Sequence, residues 1–254
     1  MSVSAIRLPS SVGSLRTASQ LADASVGFPV AEGLADLLPW PRLRPGAIVG
    51  VTSRVPAGMT SLIFSLLAGP SAAGAWCAVV GSARLSAEAA SHAGIQLSKL
   101  ALVPHLDGRA NQVTGALLEG IDVVAVEVRD SIRPADAARL AAKARNRGSV
   151  LVPFGLAAAQ WPNADSVLTV SEANWYGLRN GRGLLKHCRL TVSATVRGRR
   201  REVVLWPYGR PDTSRLVDER PRLAPVISLA DRKDNRKDNR RGGKPGAGTG
   251  RAVS

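Results

Sequence analysis

Ser53, Gly58, Met59 and Thr60 stand, in that order, at the four fixed positions of the phosphate-loop pattern G-x-x-x-x-G-K-[ST]. In such a loop, backbone N–H groups at a helix N-terminus cradle phosphates, the Lys reaches the β/γ-phosphates and the Ser/Thr holds magnesium. Here a serine replaces the first glycine and Met59 replaces the lysine. A thioether offers no positive charge to the transferring phosphoryl group. Pro56 removes a further N–H from the cradle. The residues read as a nucleotide loop, suited to ATP and magnesium, that has stopped hydrolysing. A plain strand-to-helix turn in another α/β domain is the competing reading.

A second chemical position is Glu127, at the end of the most apolar run, Ile121 to Val128. A phosphate-loop ATPase places an acid there for magnesium, and Asp is usual. One extra C–C bond moves a metal by about 1.5 Å. The strand ending Val79-Val80-Gly81-Ser82 carries no carboxylate to activate water before Glu88. Lysine, aspartate and activating acid are thus all missing or altered. The expectation is a vestigial nucleotide site (Ser53, Gly58, Met59, Thr60 and Glu127) with no catalytic residue, in a protein that is not an enzyme.

The elements that must position these residues follow from periodicity and stop signals. Ala47–Val51, Ala75–Val80, Leu100–Pro104, Ile121–Val128 and Ser149–Phe154 are short apolar runs that read as buried strands. Between them, Thr60–Ala68 (stopped by Gly69-Pro70), Ser86–Ala93, Asn111–Glu119 (Asn111 as N-cap) and Pro134–Arg147 read as helices. Phe28–Leu38 has helical spacing as well. Alternation of this kind predicts a mostly parallel sheet with helices on both faces. After Gly155, strands at Val167–Val170, Cys188–Val196 and Glu202–Trp206 lack helices between them, predicting an antiparallel extension. Residues 1–24, with Val12, Leu15 and Leu21 as a short docking helix, read as an arm, 25–209 as the core, and 210–254 as a basic, disordered tail.

The formal charge of +15, from 34 Lys/Arg against 19 Asp/Glu, calls for an acidic partner, most economically nucleic acid. Residues 231–254 hold eight Lys/Arg against three Asp, so most of the excess lies elsewhere. Arg197, Arg199, Arg200 and Arg201 read as a basic hairpin tip and a nucleic-acid contact. Arg139, Lys143 and Arg147 line one helix face, which reads as a solvated stripe. Val226 and Ile227, in the tail's apolar island, are a partner-docking candidate. Cys77 and Cys188 are too few for a disulfide framework, and Cys77 reads as a buried thiol. No apolar run reaches about 18 residues and no signal-peptide core is present, so the expected place is the cytoplasm, away from membrane.

From Pro45 to about Gly209 the order of these pieces resembles the RecA/RadA recombinase core. Pro45–Gly50 is similar to the turn and strand before the ATP loop. Ile121–Glu127 is similar to the second ATPase strand, and Ser149–Phe154 to the next. Where recombinases follow with a nucleotide-sensing Gln, Gly155 stands in this chain. Segments 128–133 and 156–163, which would correspond to DNA-binding loops, are short. Within that superfamily Leu66–Gly74, Trp76–Gly81 and Arg133–Ala141 resemble the ImuA-type accessory proteins of actinobacteria.

The resemblance implies a RecA-like P-loop NTPase core and a part in damage-induced mutagenesis under the SOS response. The implied partners are a Y-family polymerase-like protein and an error-prone C-family DNA polymerase. The function expected is a catalytically degenerate adaptor in translesion synthesis. A nucleic-acid-binding module, or a DNA-repair ATPase with a divergent loop, is the alternative. A SulA-like division inhibitor is more remote.

Overall fold

The computed structural model describes residues 26–210, except 84, 130, 131, 180, 181 and 197. The side chains of residues 178, 179 and 182–184 also fall outside the description. The chain divides into two units, 1–219 and 220–254, and all of the second lies outside the described residues. So do the N-terminal arm, Val226, Ile227 and Arg197.

Eight strands form one sheet in the order β3-β2-β4-β5-β1-β6-β7-β8. They are β1 (Val49–Ser53), β2 (Cys77–Val80), β3 (Leu100–Val103), β4 (Val123–Glu127), β5 (Val150–Phe154), β6 (Ser166–Arg179), β7 (Arg182–Val196) and β8 (Arg199–Leu205). β3 through β6 in that order are parallel, and β7 and β8 add antiparallel at one edge. The helices are α1 (Met59–Ala72), α2 (Ala87–His92), α3 (Ala110–Leu117) and α4 (Pro134–Arg147). The expected mostly parallel sheet with an antiparallel extension is what the chain forms.

Side chains alternate across the sheet because a strand has period two. Val49, Val51, Cys77, Val79, Val123, Ala125, Val150 and Val152 join α1 and Ala90 of α2 in one core. Ala78, Val80, Val124, Val126 and Leu151 join Ala137, Leu140, Ala141 and Ala144 of α4 in the other. The chain runs one way across the sheet through α1 and α2 and returns through α3 and α4. Right-handed crossovers therefore place the two pairs on opposite faces.

Four expectations change. The span 28–38 is not a helix. Gly33 is left-handed (φ +84°), only Leu34–Leu37 make a 3-10 turn, and Phe28 bridges Leu43 through N–H···O bonds of 2.8 and 3.0 Å. α1 does not stop at Gly69-Pro70 but runs to Ala72, with the Ala73 and Ala75 N–H groups bonded to the Gly69 and Pro70 carbonyls. Burial of Leu66, Leu67, Pro70 and Ser71 outweighs two local stop signals. Asn111 does not cap α3, because the helix starts at Ala110 with Arg109 before it. β6 and β7 extend into a long two-stranded ribbon well beyond Val170 and ahead of Cys188. Asn180-Gly181, between the two strands, is the hairpin signal that would have foretold the extension.

Candidate functional site

The loop lies where the pattern put it, at the carboxyl end of β1 and the start of α1. Its interior differs from a phosphate cradle. Ser53 is the last residue of β1, and its hydroxyl donates to the Val55 carbonyl (2.7 Å) with the Ala57 carbonyl at 3.3 Å. The same oxygen accepts the Val55 N–H (3.2 Å), while the Arg54 N–H donates to Val170 on β6 (2.9 Å). One loop amide is thus satisfied within the loop and one by β6, Pro56 has none, and two carbonyls turn toward Ser53. The N–H groups left without an acceptor among the described residues are those of Ala57 to Ser61, the usual orphans at a helix start.

Gly58 meets the steric demand of the turn. Its φ is +90°, and a Cβ there would lie 2.8 Å from Leu190 Cδ2, 3.0 Å from Ala173 Cβ and 3.1 Å from Val170 Cγ1. The loop is pressed onto the β6–β7 ribbon. Met59 and Val55 pack on the α1-side core, so the residue at the lysine position turns inward as an apolar filler. Thr60 is exposed. The neighbouring Ser61 is buried, with its hydroxyl 3.2 Å from the Tyr208 hydroxyl, and Tyr208 stacks on Trp175 at 5.6 Å.

Beneath that contact lies Cys188. Burial pushes its thiol up from about 9 to about 12, against a smaller opposing effect of the Ser61 hydroxyl. Burial, then the Asp122 charge, does the same to Cys77. A group with a raised folded-state pKa stabilises the fold fully below its unfolded value. The contribution is lost as pH rises through the folded value. Stability is therefore expected to fall between about pH 9 and about pH 12. Neither thiol should react with a thiol-specific disulfide reagent at pH 8 until denaturant is added. Rapid labelling of the native protein would contradict this burial.

Glu127 sits at the end of β4 as expected, but its carboxylate meets Arg129 Nη2 at 3.3 Å. The same nitrogen lies 3.4 Å from the Gly81 carbonyl. No hydrogen bond joins Glu127 to Met59 or Thr60 among the described residues. Glu127 instead helps to line a 730 Å³ cavity at the carboxyl ends of β2, β3 and β4, with His105, Asp107, Asn111 and Trp161. Ligands in open α/β sheets bind at such strand ends. Trp161 is 4% exposed, and its indole N–H has no acceptor among the described residues. Neither this cavity nor the two smaller ones described is lined by the 53–60 loop. Sequence reading missed Trp161, because a buried indole without a partner leaves no local pattern.

Of the arginine run, residues 199–201 are strand and not hairpin tip. Arg199, Arg200 and Arg201 belong to β8, pairing with Val196, Thr195 and Ala194. Val203 and Leu205 pack into the α1-side core, so period two sends Arg199 and Arg201 to that side and Arg200 to the other. Arg201 Nη1 donates to the Asp36 carbonyl (3.1 Å), and Arg200 lies 3.7 Å from Glu202. These cations guard an edge strand against pairing and do not present one face. Among the described residues no cluster of His, Cys, Asp or Glu could hold a metal, and no helix is long and apolar enough to cross a membrane.

The family profile described as the MT3502 N-terminal domain matches residues 36–163, from the 3-10 turn through α4 and β5 to the start of the ribbon. An uncharacterized protein of Mycobacterium tuberculosis, Rv3395c, is 28% identical over 185 residues. The match covers 72% of this chain and 79% of that protein.

Proposed function

We propose, for a chain that belongs to the MT3502 N-terminal domain family, the role of a non-hydrolysing RecA-like adaptor in damage-induced mutagenesis. It acts in the cytoplasm by contacts with a Y-family polymerase-like protein and an error-prone C-family DNA polymerase. The finer fold reading, a P-loop NTPase core, belongs to the same proposal. One observation carries it. The loop keeps its place between β1 and α1, yet Ser53 bonds its own loop, Met59 packs into the core and Glu127 is paired with Arg129. A scaffold in that condition retains shape for protein contacts and lacks the charges that phosphoryl transfer needs.

Calorimetric titration of ATP–magnesium is expected to give no saturable binding tighter than about 1 mM. Retention of the Y-family polymerase relative by the full-length protein is the matching positive result. Thr60-dependent ATP hydrolysis would overturn the reading in favour of an active ATPase. Failure to retain the polymerase relative would remove the adaptor role.

A further inference from the structure

We propose that the cleft between α3 and α4 binds the phosphodiester backbone of single-stranded nucleic acid. The cleft has a volume of 460 Å³ and is lined by Arg109, Arg133, Arg139 and Lys143 against one carboxylate, Asp136. Its cations come from both walls: Arg109 precedes α3, while Arg133 precedes α4 and Arg139 and Lys143 lie one turn apart on it. The arrangement is a charged groove that can track a single backbone, not a flat patch.

Several further features agree. Arg139 has no ion-pair partner among the described residues. Arg133 engages Asp136 through Nε (2.9 Å), leaving the outer guanidinium nitrogens toward solvent, and guanidinium forks match phosphate oxygens. Lys143 meets Glu119 at 2.7 Å, and that hydrogen bond, then the ammonium charge, holds the Glu119 carboxyl below its usual range. A phosphate would compete with Glu119 for the same ammonium. α3 begins with neither a side-chain cap nor an acidic residue in its first turn, so its amide end adds positive potential at Gly108 and Asn111.

The lining also favours nucleic acid over an acidic protein. Protein interfaces rest on aromatic or apolar anchors in pockets. This floor offers Leu140, already 95% covered, and otherwise amides, glycines and guanidinium groups. The assignment does not depend on the adaptor role. Loss of polymerase binding would leave it standing, and loss of nucleic-acid binding would leave the adaptor standing.

The test is fluorescence anisotropy with a labelled 20-nucleotide oligothymidylate and the full chain at several salt concentrations. Arg139→Glu with Lys143→Glu should weaken binding at least tenfold. The slope of log affinity against log salt should become shallower by about 1.4, at about 0.7 per lost phosphate contact. Lys186→Glu with Arg210→Glu makes the same change in net charge at exposed positions away from the cleft. It should cost less than threefold. Arg139→Ala, which breaks no ion pair among the described residues, is the second variant should the double one misfold; it should weaken binding a few-fold and lower the slope by about 0.7. Equal losses from cleft and control variants would overturn the proposal. So would undetectable binding at 50 mM salt, competition by polyglutamate as effective as by unlabelled oligonucleotide, or preference for a duplex.

Discussion

Gly69→Ala is expected to destabilise the protein by about 3 kcal/mol, even though alanine is the better helix former by about 1 kcal/mol. Gly69 lies inside α1, and a Cβ there would stand 2.0 Å from the Pro29 carbonyl oxygen and 2.7 Å from its carbon. The obstacle is backbone, so no side-chain rotation relieves it. Residue 29 cannot retreat freely, because Phe28 is clamped to Leu43 by two hydrogen bonds. The overlap must therefore be relieved by shifting α1, whose Leu66 and Leu67, in the same turn, are fully buried. Gly115→Ala in α3 is the internal control. Its nearest neighbours, Leu140 Cδ2 and Lys143 Nζ, would lie at an ordinary 3.8 Å, so it should gain up to about 1 kcal/mol. Urea denaturation of both variants decides the matter. A Gly69→Ala protein as stable as the parent would show that the approach of residue 29 to α1 is wrong.

Gly155→Gln is expected to cost about 4 kcal/mol, a large part of the 5–15 kcal/mol that holds a typical domain together. Under the proposed RecA-like reading, a nucleotide-sensing Gln belongs in this region, and the substitution would be its restoration. The geometry says otherwise. Gly155 has φ +124°, a region side-chain-bearing residues enter at a cost of about 1–3 kcal/mol. A Cβ would lie 2.4 Å from the Val128 carbonyl oxygen. The backbone is also held from both sides, since the Gly155 N–H donates to Val51 (3.0 Å) and the Val128 N–H to Phe154 (2.7 Å). Glycine lets the end of β5 pass against the segment leaving β4. Thermal melting and urea midpoints measure the loss. A well-folded Gly155→Gln protein that binds ATP would refute both this packing and the proposal that the loop is vestigial.

These two glycines show why some positions were readable and others were not. α4 was legible in full, because Pro134 at its first turn, the stripe Ala137, Leu140, Ala141 and Ala144, and Gly148 in the left-handed cap are all local signals. The apolar strands, their parallel order of helices between, and the place of the 53–60 loop were legible for the same reason. Period and capping are written along the chain. What residues 59, 69, 127, 139 and 199–201 do was decided only in three dimensions. Met59 turns inward because the ribbon presses on the loop, and Glu127 meets Arg129 where β4 ends. Arg139 and Lys143, a solvated stripe by spacing alone, become one wall of a cleft because α3 brings Arg109 to the other side. The run at 199–201 divides between two faces because β8 pairs with β7. Local sequence sets which side of an element a residue takes, whereas sheet register and crossover handedness set what that side meets.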